Sequence, residues 1–285
     1  MKMYSLIVAA VMAVCAFAVR AANLSVPNGS FESPDVIFPD PQFDSWQDFP
    51  KPDWYDESTG FTWDQLTGVF DNTDPAAPNH IHNMDGSQAI WMFAVPQVGI
   101  FQDGAARFQP GRAYHLTVGI IGGGGAMPDG TSIATALYYR DGSSNMVFVA
   151  ITNVLHSLAV FPDTTNFVDI PLVTPLVHSS DAHANQTIGI AIFSTVTNAP
   201  GGYWDIDNVR LQEIQRPRVR TTRIGEVIVE SEPGLKFDIL ASANLTTPFA
   251  SWSVVGHVQN VTGTVTFQDP STSKGPRFYI ARYAP

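Results

Sequence analysis

Three groups of residues in this chain are of types that do chemistry. The first is the stretch 33–83, where Trp46, Trp54, Tyr55 and Trp63 alternate with Asp44, Asp48, Asp53, Asp56 and Asp64. Aromatic faces stack on the apolar faces of sugars while amides and carboxylates beside them bind hydroxyls, so the pattern suits carbohydrate recognition. Trp46, Trp54, Tyr55, Trp63 and Asp56 are the candidate ligand contacts. The alternative is a loop minicore in which these rings bury one another. Trp91, on an alternating strand, belongs to the core or to a groove floor.

The second group lies at two ends of a segment, Val26-Pro27-Asn28-Gly29-Ser30-Phe31-Glu32 and Tyr203-Trp204-Asp205-Ile206-Asp207-Asn208-Val209-Arg210-Leu211. If the first and last strands of a sandwich meet, Glu32 and Asp207 come together. Their hard oxygens, with the Asn28 amide and backbone carbonyls, would suit calcium, which takes about six to eight oxygen ligands. Equally, the two acids satisfy only N–H groups of turns and strand edges. The third group is His80 and His82, two imidazoles on one side of an extended segment with Asp85 nearby. It lacks the further spaced ligand that a transition-metal site needs. Gly122 to Gly125 follow a strand with no lysine or helix after them, so they read as a turn or a close backbone crossing, not a phosphate cradle. No Gly-x-Ser-x-Gly elbow, His-Glu-x-x-His motif or spaced carboxylate pair marks a catalytic centre.

These groups need a scaffold, and the composition limits which kind. Lys2, an apolar run from Leu6 to Val19 and small residues to Ala22 have the layout of a secretory leader, with cleavage expected after residue 22 and no membrane span in the mature chain. The single cysteine, Cys15, falls in that leader, which excludes disulfides, thiolate metal sites and a cysteine nucleophile in the mature chain. The formal net charge is −11 with only 14% charged residues. Such a surface offers no field for phosphate backbones, so nucleic acid is not a partner.

No helical period stands out after the leader. Short β-branched and aromatic runs between Gly, Pro, Asn and Asp point to strands at Ala89–Val95, Gly99–Gln102, Ala113–Ile121, Ser132–Tyr139, Met146–Ile151, Thr165–Leu172, Thr187–Ser194 and Tyr203–Leu211. The fold class is all-β: an antiparallel jelly-roll sandwich over residues 23–214, with 33–83 as long ordered loops over it. Gln215–Arg223 holds four of the fifteen cations, and 215–224 reads as an inter-domain linker or an exposed edge. Strands at Glu226–Glu230, Lys236–Ser242, Trp252–His257, Gly263–Gln268 and Arg277–Arg282 make a small second β-sandwich-like domain, 225–285.

Asn28-Gly29-Ser30-Phe31-Glu32 and Asp205-Ile206-Asp207-Asn208-Val209-Arg210-Leu211 resemble the ends of carbohydrate-binding, galactose-binding-like jelly rolls of secreted bacterial proteins. Asp85-Gly86-Ser87-Gln88-Ala89-Ile90-Trp91, Val98 to Gln102 and Phe108 to Val118 follow that family's order. The resemblance implies a structural Ca2+ held by Glu32 and Asp207. The insertion at 33–83 departs from that family and leaves its usual ligand face uncertain. Some calcium-dependent bacterial cyclases of indole natural products use the same jelly roll with an acidic proton donor, so an enzyme is compatible with the fold. The C-terminal segment, with Phe237–Leu245, Trp252 and Arg277–Arg282, resembles short β-modules of secreted planctomycete- and verrucomicrobia-type proteins. The leading expectation is a secreted, cell-surface or periplasmic protein that binds a polysaccharide or oligosaccharide. The alternatives are a calcium-dependent enzyme, either polysaccharide-cleaving or a small-molecule cyclase, and a structural envelope protein.

Overall fold

A computed structural model describes residues 22–37, 39–215, 217–231, 233–271 and 277–284. The leader expected at residues 1–22 lies outside the described residues except for Ala22. The strands are β1 Ala22–Leu24, β2 Gln47–Asp48, β3 Thr67–Asp71, β4 Gln88–Phe93, β5 Gly99–Arg107, β6 Arg112–Gly124, β7 Ser132–Arg140, β8 Met146–Leu155, β9 Val168–Val173, β10 Thr187–Ser194 and β11 Tyr203–Gln215. They form a six-stranded sheet, β3-β4-β11-β6-β9 with β1 on β11, and a five-stranded sheet, β2-β5-β10-β7-β8. The pairings are antiparallel throughout, as expected of an all-β sandwich.

The two sheets face each other across one apolar core. Ile90, Met92, Leu116, Val118, Ile120, Trp204 and Ile206 come from the first sheet, and Ile100, Ile133, Leu137, Ile188, Ile190 and Ile192 from the second. Period-two alternation sends their neighbours, among them Trp91, Tyr203, Asp205 and Asp207, to the outer face of the first sheet. Strand β11 resets this alternation once. A bulge between Asp207 and Arg210, with Asn208 at φ 52°, moves the inward positions from Trp204 and Ile206 to Val209 and Leu211.

The first and last strands of the sandwich do meet: β1 pairs with Leu211–Glu213 of β11, and the Val209 N–H donates to the Gly29 carbonyl at 2.8 Å. The 33–83 stretch, expected as loops alone, also contributes β2, β3 and two short 3-10 turns, Glu57–Thr59 and Trp63–Leu66. Its Trp46 is 5% exposed and tilts on Phe31 at 5.4 Å, donating its indole N–H to the Asn28 carbonyl.

After β11 come β12 Arg218–Arg223, β13 Glu226–Glu230, β14 Lys236–Ser242, β15 Ser253–Gln259, β16 Thr264–Gln268 and β17 Phe278–Ala284. They make two three-stranded sheets around Val227, Val229, Phe237 and Ile239. The segment read as a linker thus contains a strand, because alternating Val219 finds this core while the arginines stay outside. No helix among the described residues is long and apolar enough to cross a membrane.

Trp46 therefore acts as a core residue. Trp46→Ala is expected to lower the free energy of unfolding by about 3–5 kcal/mol in urea titrations. A change within about 0.5 kcal/mol, typical of a surface ring, would contradict this placement.

Candidate functional site

A cavity of about 650 Å³ opens on the outer face of the six-stranded sheet. Phe70, Trp91, Phe93, Tyr203 and Asp205 line it from β3, β4 and β11, and Gly123 to Gly125 line it from the end of β6 and beyond. Four loops complete the wall, through Pro39 and Pro41, through Phe61 and Gln65, through Asn72, Thr73, Asn79 and Ile81, and through Thr164.

Each loop is tied down by polar contacts that the sequence supplies locally. Asp40 bridges to Val69 by paired backbone hydrogen bonds. The Phe61–Leu66 strap is fixed by Trp63, whose indole N–H donates to the Phe49 carbonyl at 2.7 Å, and by the Thr62 N–H donating to Gln65. The Asn72 amide brackets both backbone groups of Ile81, and Asn83 does the same for Phe167. Ile81, Ala89, Ile121 and Phe167 then form a small apolar cluster on the outer face of the sheet.

Among the described residues that line the cavity, Asp205 is the only carboxyl, and none is Lys, Arg, His or Cys. It stands on β11 between Trp91 of β4 and Ile121 of β6. The surface it keeps faces the cavity, and no described residue donates a hydrogen bond or a charge to its side chain. Burial alone pushes its pKa up to about 7. Near neutral pH the group is therefore a carboxylic acid in part, with a proton to give. Burial, together with the neighbouring Asp205 charge, also pushes up the Tyr203 phenol, which stays a neutral donor. Beside Asp205 the β6 chain bulges by one residue between its pairings with Tyr203 and Asp205, at Gly122–Gly123, where Gly123 has φ 100°. Bulges next to a site re-aim side chains and release backbone groups from the ladder. The glycine run, expected as a turn or a close backbone crossing, is the bulged end of β6 leading into a turn at Gly125.

The residues singled out in the sequence are placed differently. Trp63 is 8% exposed, Trp54 is 50% exposed, and Trp54, Tyr55 and Trp63 contact one another edge to face at 5.0–6.3 Å. Asp56 caps the Glu57–Thr59 turn by accepting from the Ser58 N–H. None of Trp46, Trp54, Tyr55, Trp63 and Asp56 lines the cavity. Trp91 does, as groove floor.

Glu32 and Asp207 do come together, on either side of the Asp85-Gly86-Ser87 turn. Asp207 accepts from the Asp85 and Asn208 N–H groups, and Glu32 from the Ser87 and Gln88 N–H groups and the Ser87 hydroxyl. Gly86, at φ 98°, leaves room for the Glu32 carboxyl against the chain. Burial, and less strongly the Asp85 and Glu32 charges, raises Asp207 to about 7. Asn28 is not turned to these acids: its side chain holds Ser33 and the Asp44 carbonyl. His80 uses Nδ1 on the Thr73 carbonyl and meets His82 edge to face at 5.5 Å. Among the described residues no group of three or more His, Cys, Asp or Glu side chains is placed to hold a metal.

Residues 22–212 match the family model of the HpiC1 cyclases. The chain belongs to the HpiC1-like cyclase family. Its sandwich is similar to that of a Stig cyclase, Fisc from Fischerella sp. TAU, solved with (3Z)-3-(1-methyl-2-pyrrolidinylidene)-3H-indole: 19% identity, TM-score 0.52, covering 69% of this chain and 99% of that one. A cyclase structure from the same source, in complex with 4-(1H-indol-3-yl)butan-2-one, gives 19% identity and TM-score 0.51 over 68% of this chain and 98% of that one. At this identity the likeness shows the fold. No curated protein matches significantly.

The cyclase family replaces the carbohydrate-binding, galactose-binding-like family expected from the end motifs, and polysaccharide as partner falls with it. The physical reason is that Asn28–Glu32 and Asp205–Leu211 build the seam of the sandwich, a feature of the fold that says nothing of the ligand face. The rings expected to meet sugars are mostly spent on the core and on the strap.

The buried carboxyl has a consequence for stability. Asp205 is held far above the ordinary carboxylate value, so stability falls as the pH rises from about 3.8, where the unfolded chain's carboxyl ionises and the native one does not, and the loss is complete above about pH 7. With divalent ions chelated, Asp205→Asn is expected to stabilise the protein by up to about 4 kcal/mol at pH 8. The gain should vanish as the pH falls toward 4. Equal effects of the substitution at both pH values in thermal melts would contradict the burial.

Proposed function

We propose that this chain is a small-molecule cyclase whose cavity on the outer face of the six-stranded sheet holds an aromatic, indole-type substrate against Trp91, Phe93 and Tyr203. Asp205 is the proton donor. The observation that carries this reading is a single carboxyl, raised toward neutral by burial, in a cavity otherwise built of aromatic rings, aliphatic groups and neutral polar side chains. The family membership and the indole ligands of the Fischerella structures support it.

The chemistry follows from that wall. The Asp205 O–H bond breaks and its proton moves to an unsaturated carbon of the substrate, which becomes a cation. Aromatic faces lower the energy of a cation by their quadrupoles, and their apolar surface keeps water from trapping it. An internal π-bond or heteroatom of the same molecule then closes the ring. The proton lost from the cyclised product returns to the Asp205 carboxylate, so the acid is restored. No nucleophile or metal on the cavity wall is required for these steps.

Calcium enters as a structural ion. The acids at the Glu32–Asp207 seam supply hard oxygens, and Asp207 is buried with the negative Glu32 and Asp85 as its charged neighbours. A divalent cation bound by Glu32 and Asp207 relieves that repulsion, with backbone carbonyls completing the shell. Secretion belongs to the proposal through the leader pattern of residues 1–22. The strands of 218–284 contribute nothing to the cavity wall and lie beyond the matched residues.

Two outcomes test this reading. Asp205→Asn is expected to abolish ring closure of an indole-bearing substrate, a loss of about a hundredfold or more, while binding of 4-(1H-indol-3-yl)butan-2-one persists. Turnover of the unaltered protein should fall as the pH rises through about 7, since only the protonated acid donates. Full activity of the Asn variant would refute the donor role. Separately, chelation should lower the melting temperature and calcium restore it, whereas Glu32→Gln should remove that response; a melt indifferent to chelator and calcium would eliminate the ion.

A further inference from the structure

Two glycines that lie under rings of the cavity wall are not explained by their backbone. Gly68 in β3 and Gly124 at the end of β6 lie outside the left-handed region, so any L-residue could adopt their conformation. Glycine weakens a strand interior because it packs nothing and loses more backbone entropy on folding. Some other constraint keeps the space above these two positions free of a side chain.

That space is filled by rings. A methyl on Gly68 would fall within the six-membered ring of Trp91, and one on Gly124 within the ring of Tyr203. The directions matter. Trp91 sits on β4 with Gly68 of β3 on one side and Asp205 of β11 on the other, and its ring lies over β3, away from the acid. Tyr203 sits on β11 two residues before Asp205, and its ring lies over β6. Each ring is thus displaced toward a neighbouring strand, a spacing of about 4.8 Å. What is left uncovered is the strip of cavity above Asp205.

We infer that Gly68 and Gly124 are specificity-determining positions: their missing side chains let Trp91 and Tyr203 lie down in opposite directions and hold open a flat slot, one aromatic ring thick, above Asp205. The inference deepens the cyclase reading and rests on it for the nature of the ligand. The slot takes a planar fused ring edge-on to the carboxyl and excludes a puckered or branched group at that depth. A purely structural explanation competes, since glycine–aromatic pairs across strands also support sheets where no ligand binds. Gly189, facing the Tyr138 ring across the five-stranded sheet, is such a pair, and neither residue lines the cavity.

This pair supplies the control. A methyl on Gly68 also meets the Asp40 carbonyl oxygen, whereas the three atoms nearest to one on Gly124 all belong to the Tyr203 ring, so Gly124→Ala in the full chain is the informative variant. Melting temperature, the dissociation constant of 4-(1H-indol-3-yl)butan-2-one from fluorescence quenching, and a crystal structure would be measured for it and for Gly189→Ala. The expected result is a comparable fall in melting temperature for both, but an affinity loss of about tenfold for Gly124→Ala alone, with the Tyr203 ring swung over Asp205. Unchanged affinity in Gly124→Ala, or an equal loss in both variants, overturns the inference. If the unaltered protein binds no indolyl ketone, the indole reading fails by itself. The ring position in Gly124→Ala then decides: a Tyr203 ring over Asp205 supports the slot, and a ring turned outward to solvent overturns it.

Discussion

The character of the site depends on one carboxyl being kept from water. Asp205 stands on a central strand of a sheet whose outer face would be wet in an ordinary sandwich. Here the loops through 39–41, 61–65, 72–81 and Thr164 wall a cavity over that face, and no described residue donates a hydrogen bond to the acid to stabilise its charge. A charge in a low-dielectric site with no partner shifts its pKa and neutralises, and that displacement gives the site its proton at neutral pH.

The rest of the fold makes that arrangement persist. The interior face of the same sheet is packed against the second sheet by Ile90, Met92, Trp204 and Ile206, so β4 and β11 are fixed from below. The Gly122–Gly123 bulge turns the end of β6 into cavity wall. Two residues beyond Asp205, Asp207 is also buried, but it is hydrogen-bonded by the Asp85 and Asn208 N–H groups. Two acids of one strand face thus have different fates, one held in the seam of the sandwich and one left free over a cavity. Environment, and not residue type, separates the roles.

The scaffold was largely readable in the sequence. The Ala113–Ile121, Ser132–Tyr139 and Thr187–Ser194 expectations became β6, β7 and β10, because β-branched alternation and the core that uses it are one pattern. Strand β3 escaped notice since Gly68 and a Pro- and Asp-rich setting hide a Thr-Gly-Val-Phe-Asp segment. Strand β12 was masked by its arginines. The site was much less readable. Composition marked the 33–83 rings as important but could not say which way they face, and Trp46 and Trp63 turned inward. Asp205 was visible only as a letter in a closing motif. Trp204-Asp205-Ile206-Asp207 does place two acids opposite core residues, the one local hint. The burial that raises Asp205 is made with residues of β4, β6 and loops distant in the chain, which no local window contains.

The central claim is a shared proton on a buried acid, and the carboxyl carbon reports it directly. Carbon-13 NMR of the full chain labelled at aspartate carboxyls, with the Asp205→Asn variant used to assign the resonance, follows its titration. The account requires a midpoint near pH 7 for the Asp205 signal. A midpoint close to 3.8, the ordinary carboxylate value, would mean that water reaches the group freely and that the cavity does not make an acid of it.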